Sequence, residues 1–215
     1  MGFLMAVRYR DEVIENIVRF YAAAVVPTFV LMDDNARPHR ANIVDDYLES
    51  EGIARMALSA YSPDLNPIEN LWNALGRAVS SRFSLPATLI ELETALQEER
   101  RLLNSAVVDH LIESMVRSCQ VIYSQFGLAI HQNDHQASSK FVEWAQNEIA
   151  VVPDFHKRIL FSDEAHFWLN GYVNKQNCRI SSEANPQVYV ETPLHSEKLT
   201  VWCALWAGGI LLQKR

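Results

Sequence analysis

Three carboxylates stand where a protein scaffold presents acids to a cation. Asp34 closes an apolar run that begins at Phe29, Glu69 falls in the first turn of an amphipathic stretch opened by Asn66 and Pro67, and Asp163 follows the apolar residues Ile159 to Phe161. Hard divalent cations take oxygen ligands, and a pair of such ions roughly 3.5 to 4 Å apart can hold the attacking and leaving oxygens of an in-line phosphoryl transfer. Strand ends and helix starts are rigid enough to hold carboxylates in that way. The chemistry these acids could do together is therefore metal-assisted attack on a phosphate.

Each acid depends on an element to carry it. Val13, Ile14, Ile17, Val18 and Tyr21 recur on one helical face, so a helix is expected from Asp11 to Ala23, with Pro27 closing it before a buried strand, Phe29 to Met32. The same periodicity predicts helices at Pro38 to Glu49, Pro67 to Val79, Pro86 to Leu103 and Ala106 to Ser118, with a short strand near Ile53 to Leu58. From His131 to Lys140 the apolar period disappears and the chain reads as a linker. After a helix at Phe141 to Ile149, strands are expected at Arg158 to Ser162, Ala165 to Leu169, Gln187 to Glu191 and Lys198 to Trp206, a meander whose helices lie elsewhere.

Composition narrows the class. The chain has 215 residues, of which 49% are hydrophobic, ample for a buried core in one ordinary domain or two small ones. No run approaches the roughly 18 uninterrupted apolar residues of a membrane helix. Residues 1–7 are too short for a secretory signal, so an intracellular protein is expected. Cys119, Cys178 and Cys203 lie far apart, which suggests reduced thiols rather than a disulfide framework or a local zinc knuckle. The formal charge of −7 argues against a free-standing duplex binder, because affinity for DNA comes largely from cationic contacts to phosphate.

The wording around the acids is specific. Val30-Leu31-Met32-Asp33-Asp34-Asn35-Ala36-Arg37-Pro38-His39-Arg40-Ala41, then Ser62-Pro63-Asp64-Leu65-Asn66-Pro67-Ile68-Glu69-Asn70-Leu71-Trp72, closely resembles the pattern of the Tc/mariner transposases. In that family the catalytic triad is two Asp and a final Glu or Asp. The resemblance puts the second Asp on Asp34 and the last acid on Glu69, with 34 residues between them, the spacing of the branch that ends in Glu. The phrase Ile159-Leu160-Phe161-Ser162-Asp163-Glu164-Ala165-His166-Phe167 resembles the segment bearing the family's first Asp, which falls on Asp163. Asn170 to Asn174 and Leu199 to Ala204 look like the strands that follow it.

The order departs from the family, since the segment of the first Asp here comes last. Residues 1–126 resemble the C-terminal part of a transposase core, residues 127–140 a linker, and residues 141–215 the N-terminal part of a core. A circular permutation or the junction of two neighbouring element copies would both produce this, and the junction is preferred because the two halves are phrased like different subfamilies. What the resemblance implies is an α/β, ribonuclease-H-like mixed sheet flanked by helices, with Asp34, Glu69 and Asp163 as metal ligands and catalytic acids for two magnesium or manganese ions. It also implies DNA as partner, a homodimer to pair two transposon ends, and a nuclear location. The helix-turn-helix region that reads transposon ends has no counterpart in these residues.

Two functions follow as expectations. One is a nucleic-acid-binding, metal-dependent DNA cleavage and strand-transfer core, expected to be inactive as a single chain because of its reordered segments and missing end-recognition region. The other is a non-catalytic α/β remnant or interaction domain. Plainer roles compete at each residue: Asn66, Pro67 and Glu69 suit a capped helix start; Asp33 or Glu164 could be taken in place of its neighbour; Asn35 and His39 could border the site, though a helix-start histidine is more often solvated. His131 and His135 read as solvated linker residues rather than zinc ligands. Trp72, Trp144, Trp168, Trp202 and Trp206 read as core or edge aromatics.

Overall fold

A computed structural model describes residues 2–25, 29–33, 36, 38–57, 66–125, 143–145, 147–148, 150–152, 154–174 and 197–215. The N-terminal helical segment is continuous: α1 (Gly2–Tyr9), a π-helical stretch (Arg10–Val18) and α2 (Arg19–Val25). Then come β1 (Val30–Asp33), α3 (Asn42–Ser50), β2 (Ala54–Ala57), α4 (Pro67–Ser80), α5 (Leu89–Leu102) and α6 (Ser105–Gln125). The later residues supply β3 (Ile159–Trp168), β4 (Val173–Asn174), β5 (Lys198–Trp206) and β6 (Gly209–Lys214).

These strands form one mixed sheet in the order β2-β1-β3-β5-β6, with β4 pairing β3 outside that path. β1 lies parallel to both β2 and β3, while β3, β5 and β6 run antiparallel in succession. The central strand β3 thus joins the two segments of the chain, with Val30 opposite Ile159 and Asp33 opposite Ser162. This is the α/β mixed sheet flanked by helices that the ribonuclease-H-like expectation described.

Strand alternation divides the core between the two faces of the sheet. Met32, Phe161, Ala165, Phe167, Cys203 and Leu205 pack with Ile68, Leu71, Trp72 and Leu75 of α4 and with the buried faces of α5 and α6. On the other face Leu31, Leu160, Trp202 and Ala204 meet Tyr9, Val13, Ile14 and Val18 of the N-terminal helix and Val44 and Leu48 of α3. A buried polar contact ties this second layer together: Trp202 Nε1 donates to Ser162 Oγ at 2.9 Å, and the Tyr9 hydroxyl lies 3.4 Å from the same oxygen.

Several boundaries differ from the periodicity reading. The helix expected from Asp11 starts at Gly2, and the one expected from Pro38 starts at Asn42 because His39 N–H and Arg40 N–H close a turn on the Ala36 carbonyl. The two strands expected at Arg158 to Ser162 and Ala165 to Leu169 are one strand, in which Asp163 and Glu164 are interior residues rather than a turn. β6 carries too short an apolar alternation to predict a strand; it is held by β5 and by α5, whose Gln97 and Arg100 side chains donate to the Leu212 and Ile210 carbonyls at 3.1 and 2.8 Å. The strand expected at Gln187 to Glu191 and the linker 127–140 lie outside the described residues.

Helix α4 is seated by a backbone-to-backbone contact. A Cβ on Gly76 would meet Gly171 O at 2.9 Å and Val173 Cγ2 at 2.9 Å, and a Cβ on Gly171 would meet Gly76 O and Ser80 N, both at 2.7 Å. Gly171 also has φ +79°, which other residues adopt with strain. Gly171→Ala is accordingly expected to cost about 2 kcal/mol or more, read as a lowered urea midpoint. In the same assay Ser162→Ala, which removes the acceptor of the buried Trp202 N–H, is expected to cost about 1–3 kcal/mol, whereas Ser81→Ala at the exposed end of α4 is expected to change little.

Candidate functional site

Asp163 sits on the central strand, 6% exposed, on the face covered by α4. Its carboxylate is held at both oxygens: Asn66 Nδ2 donates to Oδ2 at 2.9 Å, and the Glu164 backbone N–H donates to Oδ1 at 2.7 Å. Both donors are neutral, so these bonds orient the carboxylate without cancelling its charge. Across the sheet its partner is Cys203, a fully buried thiol. Burial pushes that thiol well above the usual range, the Asp163 charge adds to the effect and Arg100 opposes it, so Cys203 stays protonated.

Asn66 is also the cap of α4. Its side-chain oxygen accepts from Ile68 N–H at 3.1 Å, and Pro67 takes the first helical position, where its missing N–H costs nothing. Glu69, in the first turn of that helix, is 9% exposed and among the buried polar residues. The helix start that carries Glu69 is therefore bonded to the strand acid Asp163 through Asn66. Asn66 thus both caps the helix and binds the strand acid.

Asp34 and Asn35 lie outside the described residues. Their neighbour Asp33 is described, and its environment is different from that of Asp163. Asp33 is fully buried on the opposite face of the sheet, the Leu31 face, with Arg55 Nε at 3.4 Å and Arg40 Nη2 at 3.6 Å from Oδ1. Arg55 in turn pairs with Asp45 at 2.8 Å. A carboxylate committed to two guanidiniums on the far face is a structural ion pair. Its only sequence signal was the unusual doubling of Asp at the strand end; the arginines that neutralise it come from elements on either side.

His39 corrects an expectation. It is 4% exposed rather than solvated, with its ring stacked on Tyr9 at 3.8 Å between centroids and 25° between planes. Tyr9 reaches it from α1, a contact that periodicity within either segment could not suggest. Glu164, the alternative to Asp163, is half-buried on the other side of β3, with Arg215 Nε at 3.6 Å. Among the aromatics, Trp72 and Trp202 are core residues and Trp168 stacks edge-on against the exposed Tyr172. His131 and His135 lie outside the described residues, and among the described residues no group of three or more His, Cys, Asp or Glu side chains is gathered for a metal. Nor, among them, is any helix long and apolar enough to cross a membrane.

Comparison with known proteins agrees with the wording of these segments. Residues 6–90 match a family described as DDE superfamily endonuclease. The chain is 28% identical over 118 residues to the transposable element Tcb2 transposase of Caenorhabditis briggsae, a match that covers 54% of this chain and 42% of that protein. It is 34% identical over 92 residues to the Tc3 transposase of Caenorhabditis elegans, covering 43% of this chain and 27% of the relative. To the Tc1 transposase of the same organism it is 30% identical over 122 residues, covering 55% and 43%. Each match thus spans less than half the length of the relative. No solved structure matches significantly. The mixed sheet and these similarities agree with one another: the chain is similar, over part of its length, to Tc-type transposases and to the DDE superfamily endonuclease family.

Proposed function

We propose that the chain is a rearranged DDE transposase core whose segments 1–126 and 141–215 combine into one nuclease site, made by Asp163, Asp34 and Glu69, that binds two magnesium or manganese ions and cleaves DNA. The observation that carries this reading is the bond between Asn66 and Asp163, which joins the Glu69 helix of one segment to the central strand of the other. Two further features support it. Asp33 is turned to the far face and neutralised by Arg55 and Arg40, which leaves Asp34 as the acid of that pair for a site on the α4 face. Asp34 is also the residue after Asp33, and Asp163 the residue after Ser162, the two positions that the strands hold opposite one another.

The donor set suits the ions. All three residues offer hard oxygens, and the Asp163 carboxylate is held by neutral donors, Asn66 Nδ2 at Oδ2 and the Glu164 N–H at Oδ1. When bound, two such ions activate the attacking oxygen and neutralise the leaving oxygen of an in-line displacement at phosphate. Asp163 and Asp34 would hold both ions, and Glu69 would complete the coordination of one. Water is the attacking group in cleavage, and a DNA 3′-hydroxyl in strand transfer. Cys203 and the apolar residues beneath Asp163 keep bulk water from the inner side of the carboxylate. DNA as substrate, a nuclear location and a homodimer that pairs two DNA ends belong to the same reading.

A second reading, in which the sheet survives as an inert scaffold or interaction domain, is favoured by the formal charge of −7, which weakens any grip on duplex DNA. Cleavage of end-labelled duplex in magnesium or manganese separates the two. The expected result is metal-dependent nicking by the intact chain that falls at least about 100-fold in each of Asp34→Asn, Glu69→Gln and Asp163→Asn, as for removal of a ligand from a shared site. A folded chain that nicks no faster than its Asp163→Asn variant would establish the scaffold reading.

A further inference from the structure

The residue at the start of α4 has two demands on one short side chain. Ile68 N–H needs an acceptor there, supplied at 3.1 Å, and Asp163 Oδ2 is met by a donor at 2.9 Å. Of the side chains that cap helices well, Ser, Thr and Asp offer the acceptor, but only Asn adds a planar NH₂ on the opposite side of the same group. The amide orientation follows from the chemistry of its neighbours. Turned over, its oxygen would face the Asp163 carboxylate and its NH₂ would face Ile68 N–H, two repulsive contacts in place of two attractive ones. Asn66 is itself 5% exposed, so water competes poorly for either bond.

We infer that Asn66 is a positioning residue for the metal site: its amide fixes the plane of the Asp163 carboxylate and sets the distance from that carboxylate to the helix start bearing Glu69. This rests on the metal-binding reading above. The Glu164 N–H bond holds Oδ1 and the Asn66 bond holds Oδ2, and two anchored oxygens define the plane of the carboxylate. Because Asn66 belongs to residues 1–126 and Asp163 to residues 141–215, the same bond also brings acids from the two segments into one geometry.

The test separates positioning from capping. Asn66→Ser keeps a good cap and replaces the NH₂ by a hydroxyl one bond shorter, which falls short of Asp163 Oδ2, while Thr88→Ala removes the cap of α5, where Thr88 Oγ1 accepts from Glu91 N–H at 3.2 Å, far in sequence from the acids. Mn²⁺ binding is measured on the full chain by electron paramagnetic resonance of the free ion, and urea midpoints are measured in chelator for Asn66→Ser, Asp163→Ala and the double variant. The expected results are Mn²⁺ affinity weakened roughly 10- to 100-fold in Asn66→Ser, unchanged Mn²⁺ affinity in the less stable Thr88→Ala, and a non-additive double-variant cycle in chelator. Wild-type Mn²⁺ affinity in Asn66→Ser, or an additive cycle, would overturn the inference and leave Asn66 a helix cap. Equal Mn²⁺ binding by the wild-type chain and Asp163→Ala would instead overturn the metal reading itself, and the role of Asn66 with it.

Discussion

The parallel pairing of β1 with β3 is the constraint on which the remaining structure depends. Parallel strands cannot be joined by a tight turn and need a long crossover, and here α3, β2, α4, α5 and α6 all lie in the chain between them. Without that pairing β1 and β2 would form a two-stranded fragment, and β3, β5 and β6 a separate antiparallel sheet. With it, one sheet has the N-terminal helix and α3 on one face and α4, α5 and α6 on the other. The two segments lie far apart in the chain, yet their strands pair side by side because pairing answers to register and to which face is apolar, not to sequence distance.

The face of the sheet then sorts the acids. Consecutive residues of a strand point to opposite sides, so Asp33 goes with Leu31 toward the arginines and Asp163 goes with Phe161 and Ala165 toward α4. The two environments are chemically unlike. Asp33 sits between two guanidiniums, and its charge is spent on holding β1 to β2 and to the turn at Arg40. Asp163 accepts from an amide and a backbone N–H, neutral donors that orient it.

Helix α4 is located at two points along its length. At its start, Asn66 joins cap and strand acid. At its middle, Gly76 lies against Gly171 so closely that neither position has room for a side chain, and this sets the height of the helix over the β3–β4 turn. Between them Leu71, Trp72 and Leu75 fill the space above Phe167, with the Trp72 and Phe167 rings edge to face at 5.5 Å between centroids. A helix pinned in this way carries Glu69 at a defined depth.

By itself the sequence determined the fold class, most helices and strands and the family wording, because these are written in local patterns: apolar period, capping residues and short motifs. The cap at Asn66 and the buried strand before Asp33 are legible for the same reason, since each is decided within a few residues. What only the tertiary structure decided involves partners from distant segments. That β1 pairs β3, that Tyr9 buries His39, that Arg55 neutralises Asp33 and that Asn66 reaches Asp163 are all contacts between residues far apart in the chain. Local patterns say which residues must be buried or bonded but carry no record of which distant group completes them; that is settled when the two faces of the sheet are packed and each buried polar group is matched to a donor or acceptor.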